Sequence, residues 1–66
     1  MDQKLLKSKM TLFGDNQRKL SKSLNLSEQR LSLKISGKAK FNQDEIKLIK
    51  DKYNLSDKEV VLIFFN

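Results

Sequence analysis

The stretch Ser27-Glu-Gln-Arg-Leu-Ser-Leu-Lys-Ile-Ser36 alternates hydrogen-bonding side chains with apolar ones at helical spacing. Gln29 carries an amide that donates and accepts side by side, Glu28 accepts, and the hydroxyls of Ser27, Ser32 and Ser36 do both. With Leu31 turned toward a core and about 100° of rotation per residue, Gln29 and Leu33 point most directly outward, flanked by Ser32 and Ser36. Such a surface suits the reading of another molecule's polar edge rather than the making of bonds. The chain has no His and no Cys, which removes imidazole catalysis, thiol chemistry, disulfide staples and the usual zinc sites. No nucleophile-base pair or Gly-rich phosphate loop accompanies its eight carboxylates. The expectation is a binding protein, not an enzyme, with no cofactor and no metal.

The charge balance says what such a surface would meet. Residues 1–40 hold ten Lys and Arg against three acids, whereas residues 41–66 hold four against five. The net charge of +6 therefore sits in the part of the chain that contains the reading stretch. One-sided cationic charge of this kind favours a polyanion. The N-terminal MDQKLLKSKM interleaves charge with its apolar residues, lacks the continuous apolar region of a signal peptide, and is followed by no run of membrane-spanning length. A cytoplasmic location is expected, and a basic amphipathic segment lying on a membrane is disfavoured because the core needs its apolar face.

The elements that must position these residues are marked mostly by caps, since there is no Pro and only two Gly. Leu6, Met10 and Phe13 recur at i, i+4 and i+7, predicting a helix over 2–13 that Gly14 stops. Asp15 or Asn16 then caps a short helix over 17–24 with Leu20 and Leu24 on one face. Asn25 tolerates left-handed dihedrals, so the chain can turn there and drop Leu26 into the core. Ser27 caps a third helix with Leu31 and Ile35 buried, ended by Gly37. Asn42 with Glu45, and Ser56 with Glu59, have capping-box spacing and open a fourth helix, carrying Ile46, Ile49 and Tyr53, and a fifth, VVLIFF. Sixty-six residues in one all-α, compact five-helix domain follow.

Two short helices meeting at Asn25, with small Ser21 at their contact, form a helix-turn-helix over about 17–36. On Gln17, Leu20, Ser21, Leu24, Asn25, Leu26, Ser27, Gln29, Leu31, Ile35, Ser36, Gly37 and Lys38, the sequence resembles the phage repressor and Cro-like helix-turn-helix DNA-binding proteins, the small ones of Gram-positive phages in particular. The flanking LLKSKM and FNQDEIKLIKDKYNLS extend the likeness over nearly the whole chain. The resemblance implies a transcriptional regulator that lays residues 27–36 in the major groove of double-stranded operator DNA. Base-reading positions would be Ser27, Glu28, Gln29, Ser32 and Leu33, with Gln29 suited to the N6 and N7 edge of adenine. Phosphate contacts would come from Asn16, Gln17 and Arg18 at the front of the first motif helix, and from Ser36, Lys38 and Lys40 after the second. Lys19, Lys22, Arg30 and Lys34 would add to the positive field.

Two positions depart from the family's habit. Glu28 puts a negative charge at the front of the reading helix, either to accept from a cytosine N4 amine or simply to meet the helix dipole. Leu33 is apolar where relatives usually carry Arg or Gln, and suits either a thymine methyl or a protein partner. At the C-terminal end, Val60, Ile63 and Phe64 can cover the core, leaving Val61, Leu62 and Phe65 as candidates for a two-fold homodimer, at least on DNA; both faces covered within a monomer, or a terminal strand pairing across a dimer, are the alternatives. A different outcome for the same fold is an antirepressor that binds a partner repressor protein through Leu33 and the apolar end.

Overall fold

The structure, a computed structural model, describes residues 2–65. Five helices follow one another: α1 Gln3–Leu12, α2 Gln17–Ser23, α3 Glu28–Ile35, α4 Gln43–Lys52 and α5 Asp57–Phe64. Each begins on a side chain that accepts from the free N–H three residues on: Asp2, Asn16, Ser27, Asn42 and Ser56. Asn42 with Glu45 and Ser56 with Glu59 complete reciprocal capping boxes. The expected helix ends differ from the observed ones only in that the cap residues lie just outside. Asn16, not Asp15, caps α2; Asp15 instead accepts from the Tyr53 hydroxyl at 2.7 Å.

The first four helices also stop in one way. Gly14, Asn25, Gly37 and Asn54 have φ of +69°, +57°, +84° and +51°. The N–H of the residue after each donates back into its helix, from Asp15 to Met10, Leu26 to Ser21, Lys38 to Leu33, and Leu55 to Lys50, at 2.8–2.9 Å. These are Schellman closures, and a left-handed residue is what they demand. The sequence Asn-Leu-Ser occurs at both asparagine turns, Asn25-Leu26-Ser27 and Asn54-Leu55-Ser56, with Asn leaving one helix and Ser capping the next.

The core gathers Leu6 and Met10 of α1, Leu20 of α2, Leu31 and Ile35 of α3, Ile49 of α4, Ile63 of α5 and, from the α4–α5 turn, Tyr53 and Leu55. Small Ser21 of α2 is buried, its hydroxyl donating to the Arg18 carbonyl, and α2 packs on α3. Three expected core residues stand elsewhere, one of them Ile46, which is half-buried on α4 outside the core cluster. Phe13 caps α1 from outside the helix and is 50% exposed, its ring against Tyr53 at 5.5 Å between centroids. Leu26 is only half-buried, and its backbone bond to Ser21 rather than its side chain fixes the turn. The VVLIFF segment is helical, so the terminal-strand alternative falls; its apolar run follows a capping box that commits the first turn to a helix. α5 packs on both α1 and α4. Among the described residues no helix is long and apolar enough to cross a membrane.

Candidate nucleic-acid interface

α3 turns Leu31, Lys34 and Ile35 inward and leaves the opposite side open. Ser27, Glu28, Gln29, Ser32 and Leu33 are all exposed, with Gln29, Ser32 and Leu33 turned away from Leu31 and Ser27 and Glu28 at the N-terminal end of the helix. Leu33 is 37% exposed, enough to offer its methyl groups to a partner. The Ser27 oxygen accepts from the Arg30 N–H at 3.1 Å as the cap, which leaves its hydroxyl proton available outward.

The loop after α3 is tied back to that helix, and most of the bonds converge on one carbonyl. The Leu33 carbonyl accepts from the Lys38 N–H at 2.9 Å, the Ala39 N–H at 3.1 Å and the Ser36 hydroxyl at 3.1 Å. Lys38 and Lys40 are thereby carried at the end of α3 on a constrained backbone, with their side chains exposed. Ser36 is exposed too, but its proton is already given to Leu33, so toward a phosphate it has only an acceptor left. At the front of α2, Asn16 uses its side-chain oxygen to cap Lys19 at 2.9 Å, keeping its NH2 group for an outside acceptor. Arg18 is exposed and Gln17 half-buried.

Lys34 corrects the expectation of a surface cation. It is buried, and its Nζ lies 2.6 Å from Glu45 Oε1 of α4 and 5.9 Å from the centre of the Phe41 ring. The same Glu45 oxygen accepts from the Asn42 N–H at 2.9 Å. Burial pushes the Glu45 carboxyl up, but the bonds from Lys34 and Asn42, with the charges of Lys34 and Arg30, outweigh it and hold the group below the usual glutamate range. The ion pair thus fastens the reading helix to α4. Only the outcome of folding reveals this, because 34 falls on the inward stripe of α3 and its acid partner is eleven residues away.

The remaining ion pairs explain where the net charge is left. Lys9 meets Glu59 at 2.7 Å, Lys50 meets Asp57 at 2.7 Å, and Lys52 meets Asp15 at 3.5 Å. Lys9 holds the Glu59 carboxyl below its ordinary range, aided by the Ser56 N–H, and Lys50 does the same to Asp57. Among the described residues, no salt bridge takes Arg18, Lys19, Lys22, Arg30, Lys38 or Lys40. Within α4 and α5 acids match or outnumber cations, α1 keeps Lys4 and Lys7 outside these pairs, and Glu28 is the only acid between residues 16 and 40, so α2, α3 and the following loop are left positive.

At the other end, Val61 is 53% and Phe65 67% exposed, whereas Leu62 is half-buried, with its carbonyl accepting from the Asp2 N–H. Of the three dimer candidates, two present free apolar surface and one is partly covered by its own chain. No family model, curated protein or solved structure matches this chain.

Proposed function

We propose that the protein is a sequence-specific DNA-binding regulator of the repressor or Cro-like kind, acting in the cytoplasm by laying α3 in the major groove of an operator. The observation that carries this reading is the coincidence of an exposed polar side on α3 with a stretch, residues 16–40, that holds one acid, Glu28, against Arg18, Lys19, Lys22, Arg30, Lys38 and Lys40, none of them in a salt bridge among the described residues. A helix fits the major groove, where amide, hydroxyl and methyl groups can read base edges while flanking cations meet phosphates. Gln29, Glu28, Ser32, Ser27 and Leu33 supply the first set; Arg18, Lys38 and Lys40, with the Asn16 and Gln17 side chains at the front of α2, supply the second. A homodimer on DNA is part of the proposal, since a single α3 reads only a few base pairs, and exposed Val61 and Phe65 suit the contact.

The exposed apolar Leu33 favours one competing reading, a protein-binding antirepressor that uses the same surface on a partner repressor. Titrating duplex DNA from upstream of the protein's own gene at several salt concentrations separates the two. A protein that neutralises about five phosphates loses affinity with a log-log slope near −4 to −5. Binding that ignores salt, or no binding to any duplex, rejects the DNA reading.

A further inference from the structure

We infer that Leu33 is a specificity-determining residue that reads a thymine methyl group, so that each operator half-site carries an A·T pair at Leu33 close to the adenine addressed by Gln29. The inference rests on the DNA reading above and deepens it. Gln29 and Leu33 are one helical turn apart on the exposed side of α3, separated by about 6 Å along the axis. Base pairs repeat at about 3.4 Å, so a helix lying along the groove brings the two side chains to different pairs, one or two steps apart.

The other residues of that side narrow the choice. Of the exposed residues of α3, Glu28, Gln29, Arg30, Ser32 and Leu33, Arg30 is the one cation that could make the bidentate contact that reads guanine. Lys34, the nearest cation in sequence to Leu33, is buried on Glu45. Arg30 lies about 100° from Gln29 and about 60° from Leu33, the mirror of Ser32 across the outward direction, so the selected sequence decides whether it meets a phosphate or a guanine. In the major groove the thymine C5-methyl is the apolar feature of a base edge, and an exposed leucine has no polar group with which to read anything else. Its backbone carbonyl meanwhile fixes the loop bearing Lys38, which holds the side chain's place relative to the phosphates.

The test starts from duplexes selected by the full-length protein out of a random pool. Each thymine of the selected site is then replaced in turn by deoxyuridine, which removes the methyl and leaves the pairing intact. One position per half-site should lose about fourfold in affinity, the worth of one buried methyl. The Leu33→Ala protein, which keeps the carbonyl bonds, should bind more weakly and be indifferent to that replacement. If every deoxyuridine duplex binds the parent equally, or if the Leu33→Ala protein still feels the loss, the assignment is wrong while DNA binding stands. Selected sites dominated by guanine, with Arg30→Ala as the variant that relaxes them, would likewise overturn it. A pool that yields no enriched duplex rejects the DNA reading and the inference together.

Discussion

Lys34 Nζ and Glu45 Oε1 lie 2.6 Å apart with both side chains more than nine-tenths covered, and they are the direct polar link between α3 and α4. Removing one member of such a pair leaves an uncompensated buried charge, which costs about 3 kcal/mol or more, whereas replacing both by apolar or neutral groups of similar size is often tolerated. Glu45→Gln keeps an acceptor for the Asn42 N–H and isolates the charge. It should therefore destabilise by about 3 kcal/mol in urea denaturation, and the Lys34→Met/Glu45→Gln pair should recover much of that loss. Additive losses in the double variant would show that the two residues act separately.

The same pair sets the acid side of the stability profile. A carboxyl whose folded pKa is lowered contributes stability that is complete above its unfolded value, about 4.3 for glutamate, and is lost as pH falls through the folded value. Glu45 and Glu59 are both lowered. With no His to titrate in between, melting temperature should be nearly flat from pH 5 to 8 and fall below about pH 4. At the alkaline end, burial and the Asp15 bond push the Tyr53 phenol up, so its contribution is complete below about pH 10 and lost as pH rises beyond that. The acid limb should be shallower in Lys34→Met/Glu45→Gln, and a melt that declines steadily between pH 5 and 8 would contradict the assignment.

The left-handed turns make a separate demand. An L residue with a β-carbon at φ near +60° costs about 1 kcal/mol or more, less for Asn. A methyl at Gly14 or Gly37 would meet nothing within 4 Å, so the backbone alone sets the loss. Gly14→Ala, Gly37→Ala and Asn25→Ala should each lower stability by about 1 kcal/mol, and Asn25→Gly should cost nothing or stabilise slightly. Equal stability in all four would mean the turns relax to another closure.

These turns also show what could be read in advance and what could not. Helix starts were legible because a Ser, Asn or Asp before an apolar-periodic run has one strong use, to satisfy free N–H groups. Gly14, Gly37 and Asn25 announced their conformation for the same kind of reason. Asn54 obeys the rule of Asn25 inside the same Asn-Leu-Ser triplet, so the sequence carries the same signal there. That repetition carries a warning about function: the α2–α3 and α4–α5 turns are made alike, yet α5 is apolar and α3 is polar outside. Turn chemistry identifies a helical corner; the exposed side of the second helix distinguishes a reader from a packing element. Periodicity gives direction without depth, and Lys34 and Phe13 depart from their expected places for that reason. An inward Lys needs a buried acid to stay, and a terminal Phe just past the helix follows the cap geometry instead of the stripe.

On the proposed interface, base and phosphate contacts should respond differently. Gln29→Ala should lower affinity for the selected operator by about 1–3 kcal/mol and relax the preference at one base pair, with non-specific binding unchanged. Lys38→Ala should weaken all duplexes about equally and reduce the salt slope by about 1. Measured side by side on specific and scrambled duplexes, a uniform loss in both variants would move Gln29 out of the reading set.

Dimerisation is tested where its candidate surface costs the monomer least. Val61 is 53% exposed on α5, so Val61→Glu removes little core packing, and its effect on stability should stay within about 0.5 kcal/mol. If Val61 lies in a two-fold contact, the introduced carboxylates come together across the axis and the paired complex is lost. Affinity for a single half-site should then match the parent, while affinity for two half-sites one helical turn apart should fall to that of a single one. Sedimentation of the protein on the paired duplex should show one chain per DNA where the parent shows two. Retention of the two-chain complex by Val61→Glu would place the contact elsewhere on the molecule.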